Sequence, residues 1–456
     1  MSIDYIRFPE LTIWQRNQLF SVYAEEAGSF LLDSGNSDNI NGRYDIMAVQ
    51  PLTIITDDLI ASDAPLNSLQ EYHQAIDITE IPSELRHLPC IGGIFFALSY
   101  DLGRAYETIE KISEDDLQLN RCYAAVFGCI LIIDHKIQCS YLICSNKKSK
   151  RIYRELSSKI NRMLRHKRTL NTKSFRLKSD WTANFTEASY TKAFDQVQTY
   201  IQAGDCYQVN LAQRFEASCI GSSWQAYCQL SEANNAPFSA FINTGEADIL
   251  SLSPERFIQL NDKQVETKPI KGTRPRGQTL EDDQRLMNEL MASKKDRAEN
   301  LMIVDLMRND LGKTCKPGSI NVPHLFALES FHSVHHLVST VRGELDENEN
   351  AYTLLASCFP GGSITGAPKI RAMNIIEQLE PNRRSYYCGS IGYIDSRGNM
   401  DSSICIRTLV RKDDMIYCWA GGGLVSESNQ QDEYQETFDK VSRILPVLEP
   451  VMGGQE

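Results

Sequence analysis

Two pairs of acids three residues apart stand out in this chain: Asp296 and Glu299, and Glu433 and Glu436, the latter with Lys440 four residues on. At 100° per residue Glu433, Glu436 and Lys440 fall at about 0°, 300° and 340°, on one helix face. Tyr434, Phe438, Val441 and Leu445 gather near ~80–140°, a separate apolar face that anchors the helix. Two such pairs can converge on a hard divalent cation, and Mg2+ takes one or two carboxylates while keeping several waters. Each pair alone also describes a solvated helix face. Lys271, in Thr267-Lys-Pro-Ile-Lys-Gly-Thr273, becomes a nucleophile if burial or a cationic neighbour lowers its pKa, and is otherwise a surface lysine. Glu255, in Ser251-Leu-Ser-Pro-Glu-Arg-Phe257, is a general acid/base if it shares a pocket with Lys271, and otherwise a surface ion-pair partner. Arg407, in Ser403-Ile-Cys-Ile-Arg-Thr-Leu409, reads as a strand residue on the face opposite Ile404 and Ile406. Its guanidinium there needs a partner, a structural acid or a bound carboxylate. His336 shares a strand face with Val334, Val338 and Thr340, opposite His335, so the two are a poor chelating pair.

Two glycine clusters offer main-chain N–H groups to an anion. Gly361-Gly-Ser-Ile-Thr365-Gly366-Ala-Pro-Lys369 runs into a helical pattern, with Pro368 suited to the first turn. Gly421-Gly422-Gly423 follows a strand expected over 415–420, where backbone approaches a ligand closely. Both also fit ordinary turns. No P-loop pattern occurs, and no GxGxxG follows a strand.

The elements that position these residues divide along the chain. Residues 1–145 read as mostly β, with strands over 45–55, 91–100 and 124–133; residues 181–456 alternate strands with strong helices. The apolar run 122–133 is too short for a membrane span, which needs ~20 residues, and reads as a buried strand. Tyr190, Phe194, Val197 and Ile201 predict a helix stopping at Gly204, and Tyr207, Val209 and Leu211 a strand after it. Leu286 and Leu290 mark a helix to Ser293, where Ser293-Lys-Lys-Asp296 has capping-box spacing for another reaching about Arg308. Between the halves, residues 146–180 hold a basic helix and linker. From Lys147 to Lys178 there are thirteen Lys and Arg against Glu155 alone, and Ile152, Leu156, Ile160 and Leu164 form one apolar stripe. The rest carries 34 basic and 58 acidic residues, so the net charge of −12 divides very unevenly. The pattern is α+β.

Length and composition narrow the class. The 456 residues can bury a large core without disulfides or metals. The acidic balance argues against nucleic acid or an anionic membrane as main partner. The 13 scattered cysteines, with no CxxC pair and no zinc spacing, together with a start that lacks a signal peptide, predict reduced thiols in the cytoplasm.

The motifs around Glu255, Lys271, Glu299, Thr365, Arg407, Gly423 and Glu436 occur in the order seen in chorismate-utilising enzymes, and the resemblance covers essentially the whole chain. It implies an α+β fold of two large packed antiparallel β-sheets with helices outside. It implies Mg2+ held by Glu299 and Glu436 with Asp296 and Glu433 behind, binding the ring carboxylate of chorismate near Thr365, Gly366 and Gly421–Gly423. Arg407 and Lys440 would take anionic substrate oxygens, and His336 would line the ring. Lysine in Pro-Ile-Lys271-Gly-Thr resembles the branch that aminates chorismate at C4 on the way to p-aminobenzoate and folate. Anthranilate synthase component I, the alternative, usually has Ala there. In that branch Lys271 adds to the ring as a covalent nucleophile and Glu255 donates the proton. No glutaminase site is evident, so the resemblance implies a heterodimer with a glutamine amidotransferase subunit. Leu31-Leu-Asp-Ser34-Gly resembles the family's tryptophan-binding motif with Asp33 for Glu, and Asn210, Pro237, Phe238 and Ser239 resemble its other walls. Tryptophan there would be structural, inhibitory or absent.

Overall fold

The computed structural model describes residues 3–35, 42–73, 80–165, 174–330 and 334–449. Parts of the basic segment (166–173), Ser333 and the tail from 450 lie outside them. Two antiparallel sheets, of 13 and 10 strands, dominate. The first runs in space from Asp4–Pro9 through Cys139–Cys144, Cys129–Asp134, Tyr44–Ala48, Ser29–Asp33, Phe238–Asn243, Asp248–Ser253, Thr408–Lys412 and Met415–Leu424 to Gln208–Ile220. The second runs from Ile270–Pro275 through Val334–Glu344, Gln264–Thr267, Arg256–Asn261, Met400–Ile404, Ser390–Asp395 and Gly93–Leu98 to Cys122–Phe127 and Thr53–Ile55.

Period-two alternation separates the two faces of the first sheet. Phe30, Ile46, Ile132, Ile242 and Ile249 face the core shared with Phe95, Phe96, Tyr123 and Ile391 of the second sheet. Their neighbours Leu31, Met47, Leu131, Phe241 and Leu250 face the other way, against Phe20, Leu156, Trp224, Tyr227 and Val441 of the outer helices. Phe30 shows how tightly the sheets close: its ring centroid lies 6.0 Å from that of Phe95 and 5.8 Å from that of Phe127. Truncating a ring buried this completely costs about 3–5 kcal/mol.

The boundary expected at 145–180 separates stretches of sequence rather than separate sheets. Ser29–Asp33 pairs with Phe238–Asn243, and Gly93–Leu98 pairs with Ser390–Asp395. Several stretches also switch sheets. The run 122–133 is two strands: Cys122–Phe127 lies in the second sheet and Cys129–Asp134 in the first. They break at Gly128, where a Cβ would stand 2.4 Å from that of Asn146. Likewise 45–55 breaks between Tyr44–Ala48 and Thr53–Ile55, with Gln50 at φ 50°. The basic helix spans Lys150–Arg165 and buries Ile152, Leu156 and Ile160; Leu164, at its end, is exposed rather than part of the buried stripe. The expected helices are present as Glu187–Gln202, Leu280–Ala292 and Lys294–Leu311, and the Ser293 side chain accepts from Asp296 N as the cap requires. Tyr207 precedes the strand Gln208–Ile220 and is exposed, unlike Val209 and Leu211. Among the described residues no helix is long and apolar enough to cross a membrane.

Candidate active site

Two sheet crossovers, side by side, build one wall of the site. The chain leaves the first sheet after Ser253 and enters the second at Arg256, with Glu255 in the corner. It returns from Ile404 to Thr408, with Arg407 in that corner. The corners hold each other: Ile404 N donates to Glu255 O at 3.1 Å and Leu252 N to Arg407 O at 3.0 Å. Arg407 is therefore a corner residue, not the strand residue its sequence suggested. Its φ of 51° is in the left-handed region that non-glycine residues avoid, a conformation kept only where the surroundings over-determine it. Burial and the charge of Arg443 make its protonated form harder to hold than usual. Among the described residues no carboxylate forms an ion pair with it, so the cation remains available to an anion.

Lys271 lies on the strand Ile270–Pro275, opposite Leu337, and its Nζ donates to Ser363 O at 3.0 Å. Ser363 Oγ donates to Glu255 Oε1 at 3.1 Å. Burial pushes Glu255 up to about 7, against the opposing pull of Lys271 and the Ser363 hydrogen bond. A carboxyl that titrates there is poised to give up a proton at neutral pH. His336 shares the neighbouring strand and its Nδ1 lies 2.8 Å from Thr273 Oγ1. Burial, with Arg407 nearby, lowers it to about 4, so it is a neutral ring wall at neutral pH. His335 points away, its Nε2 2.9 Å from Asp283 Oδ1.

Glu299 stands on Lys294–Leu311, while Glu433, Glu436 and Lys440 stand on Gln430–Val441, whose N-cap is Asn429. Gly422 lies beneath the second helix: a Cβ there would be 3.0 Å from Glu433 Oε2 and 3.4 Å from Glu436 Oε1. Gly421–Gly423 do not follow the strand as expected but belong to it, since Met415–Leu424 continues and pairs them with Ala212, Leu211 and Asn210. Lysines already neutralise the acids. Lys295 Nζ is 3.1 Å from Glu433 Oε1, which also accepts from Ser428 Oγ at 2.6 Å. Lys440 Nζ is 2.6 Å from Glu436 Oε1 and donates to Gly421 O at 2.7 Å. Asp296 pairs instead with Arg274 at 3.3 Å, at the edge of the group. Among the described residues no three acid, histidine or cysteine side chains stand together as a metal-binding group, so the four expected ligands do not form a closed cage. The donor set still fits a hard cation, which needs only one or two carboxylates. Burial raises Glu299, and Asp296 and Glu433 add to the effect, while Lys271 and Lys295 oppose it. Burial alone would also raise Glu436, but Lys440 holds it below the usual carboxylate range. Of these acids, Glu299 has no lysine or arginine within ion-pair distance among the described residues, so it is the carboxylate a further cation would relieve most.

The glycine-rich turn completes the site. Gly362–Ile364 is one 3-10 turn, and Gly366, at φ 143°, presses against Gln208, whose carbonyl oxygen would be 2.1 Å from a Cβ. Thr365 is fully buried and its hydroxyl donates back to Gly361 O and Gly362 O. Pro368 caps the helix Lys369–Leu379 from outside rather than filling its first turn.

A second cavity, about 230 Å3, opens between the sheets. Asp33, Ser34, Pro237, Phe238 and Ser239 line one side, and Arg256, Tyr393 and Asp401 the other. Asp33 spends its oxygens on Arg16, Tyr227, Ser231 and Gly35 N. Asn210 does not line this cavity. It sits on Gln208–Ile220, with three strands between it and Phe238–Asn243, and its main chain is bonded to Thr365 and Arg384.

Of the residues singled out in the sequence, Glu255 and Lys271 meet through Ser363, and His336 lies within electrostatic reach of Arg407. Sequence reasoning missed the roles of Ser363 and Lys295; Ser363 lay inside a quoted motif, and Lys295, next to an expected ligand, was the available signal.

A family model of chorismate binding enzymes matches residues 28–446, and the chain belongs to that family. Within it, the chain is 45% identical over 442 residues to aminodeoxychorismate synthase component 1 of Escherichia coli (strain K12), covering 94% of this chain and 95% of that one. It is 45% identical over 440 residues to the protein of the same name from Klebsiella aerogenes, covering 94% and 96%. The crystal structure of anthranilate synthase component I from Streptococcus pneumoniae TIGR4 superposes with a TM-score of 0.78 at 29% identity, covering 90% of this chain and 93% of that one.

Proposed function

We propose that this chain aminates chorismate at C4 to give 4-amino-4-deoxychorismate, the precursor of p-aminobenzoate and folate. The ammonia comes from a glutamine amidotransferase partner, as the designation "component 1" of the similar proteins suggests. The observation that carries the reading is the Lys271 amine 3.0 Å from Ser363 O, in a site whose buried acid Glu255 titrates near 7.

Arg407 and Lys440 hold the substrate carboxylates, and His336, neutral, lines the ring. Glu299 and Glu436, with Glu433 and Asp296 behind, would hold Mg2+, which supplies charge neutralisation and orientation of the ring carboxylate. In its neutral amine form, having given its proton to solvent, Lys271 uses its Nζ lone pair to form a bond to C2, the two ring double bonds each shift by one position, and the C4–O bond breaks. Hydroxide is a poor leaving group, so Glu255 protonates it to water. The amine has become an ammonium and the acid a carboxylate. Ammonia then adds at C4, the double bonds shift back, and the C2–N bond to Lys271 breaks. Glu255 regains its proton from the product ammonium or from solvent. Dividing one displacement into two is the advantage of the covalent adduct.

The cavity of about 230 Å3 is proposed to bind tryptophan, its ring against Pro237 and Phe238. The 13 cysteines are all free thiols, which supports a cytoplasmic location. The test is to incubate the purified chain with chorismate, Mg2+ and ammonium and to identify products. Aminodeoxychorismate, with its enolpyruvyl group retained, is the expected product; anthranilate plus pyruvate would overturn the reading. Lys271→Ala should abolish most C4 amination, and undiminished product would remove the nucleophile role.

A further inference from the structure

The geometry points to Ser363 as a positioning residue that holds the nucleophile with its carbonyl and the proton donor with its hydroxyl, coupling Lys271 to Glu255. This rests on the roles just proposed for those two residues. Lys271 Nζ donates to Ser363 O at 3.0 Å, and Ser363 Oγ donates to Glu255 Oε1 at 3.1 Å.

The turn that carries Ser363 is held from every side. Gly361 O and Gly362 O accept from the Thr365 hydroxyl. Ile364 O accepts from Arg384 at 2.9 Å, and Thr365 O from Asn210 N at 2.9 Å. Leu306 packs so close to Gly362 that a Cβ there would be 2.4 Å from its Cδ2. Of these five successive carbonyls, Ser363 O is the one held by a residue that reacts. The other four fix its position.

Both contacts suit the transition state better than the ground state. As N–C2 forms, the Lys271 nitrogen passes from amine to ammonium, and a carbonyl oxygen accepts more strongly from the cation. As C4–O breaks and its oxygen takes the Glu255 proton, Glu255 becomes a carboxylate, and a hydroxyl donates more strongly to the anion. One rigid residue thus meets both developing charges without reorganising, the condition for differential stabilisation.

The experiment compares Ser363→Ala, Ser363→Thr and Ser363→Ala/Glu255→Gln in the full chain with chorismate, Mg2+ and saturating ammonium. Losing one hydrogen bond to a charged group predicts a fall in kcat of roughly 10- to 100-fold for Ser363→Ala, with KM for chorismate changed by less than about twofold. The alkaline limb should move to higher pH, because the lost bond favoured the Glu255 carboxylate. Ser363→Thr, which keeps the hydroxyl, should recover most of kcat. Adding Ser363→Ala to Glu255→Gln should cost much less than it does in the wild type. Unchanged kcat and pH profile in Ser363→Ala overturn the inference, as does full additivity in the double variant. If Ser363→Ala does not fold, the Thr variant must still keep the wild-type alkaline limb, and a displaced limb there counts against the coupling. The two levels separate cleanly: impaired Lys271→Ala and Glu255→Gln beside a normal Ser363→Ala refute only this inference, whereas full activity in the first two refutes the covalent reading.

Discussion

Replacing Glu255 with Gln tests both the chemistry and the energetic cost of the site. Gln keeps the shape of the side chain and a partner for Ser363 Oγ, but has no proton to give. General acid catalysis typically contributes 10²–10⁴-fold, about 3–5 kcal/mol of barrier, so kcat should fall by that range near pH 7. The acid form of a group titrating near 7 declines tenfold for each pH unit above it. The ratio of wild-type to variant activity should shrink accordingly as pH rises, and the variant should lose the alkaline limb. Stability should move oppositely. Burial lifts the carboxyl from 4.5 to about 7, so the native state binds the proton more tightly than the unfolded chain. The resulting stabilisation is complete below about 4.5 and is lost as pH rises through 7, a difference of about 3 kcal/mol. At pH 8 the variant escapes that loss. With ~2.1 cal/mol/K of unfolding entropy per residue over 456 residues, its melting temperature should rise by about 3 °C relative to wild type, and the gain should vanish at pH 4. Steady-state kinetics from pH 6 to 9 and scanning fluorimetry at both pH values measure this. An alkaline limb that survives in Glu255→Gln, or a melting difference that does not change with pH, refutes the assignment.

Two further outcomes follow from the packing. Gly422→Ala places a methyl 3.0 Å from Glu433 Oε2 and 3.4 Å from Glu436 Oε1, so the Glu433 carboxylate must give way by a few tenths of an ångström beside Glu436. A displacement of this size predicts at least a tenfold loss of kcat/KM and weaker Mg2+ binding by calorimetry, with the melting temperature nearly unchanged. Arg16→Met removes the guanidinium that bonds both Asp33 oxygens at 2.8 and 3.0 Å and Asp45 at 2.6 Å. Breaking a buried charge network by removing one partner costs about 3–5 kcal/mol, which denaturant unfolding would register.

Local signals were the legible part of the fold. Ser293 and Asp296 specified a helix start through a contact three residues apart, and Phe30 and Leu31 took opposite faces because a strand must alternate. Sheet switching was not legible. Residues 122–133 are apolar without a break, so nothing in their own pattern marks the change of sheet at Gly128, where the close neighbour is the distant Asn146. Arg407 was misplaced for the same reason: Ile404 and Ile406 look periodic, but the crossover beside Glu255 ends the strand first. In the site, Lys271, Glu255, Glu299 and Glu436 were recognisable by motif. The pairing of Lys295 with Glu433 joins helices 138 residues apart, and no spacing rule spans that distance. Asn210 was assigned to the cavity by resemblance, and its place in the strand order puts it elsewhere.

The interleaving of the two sheets also sets an order of events at the ribosome. Gly93–Leu98 has Ser390–Asp395 as a lateral neighbour, so roughly 300 further residues must be synthesised before that edge closes, ~15–60 s at ordinary elongation rates. Until then a row of unpaired N–H and C=O groups, flanked by Phe95 and Phe96, emerges as an open template for other nascent chains. A chain stopped between residues 98 and 390 therefore presents an adhesive edge.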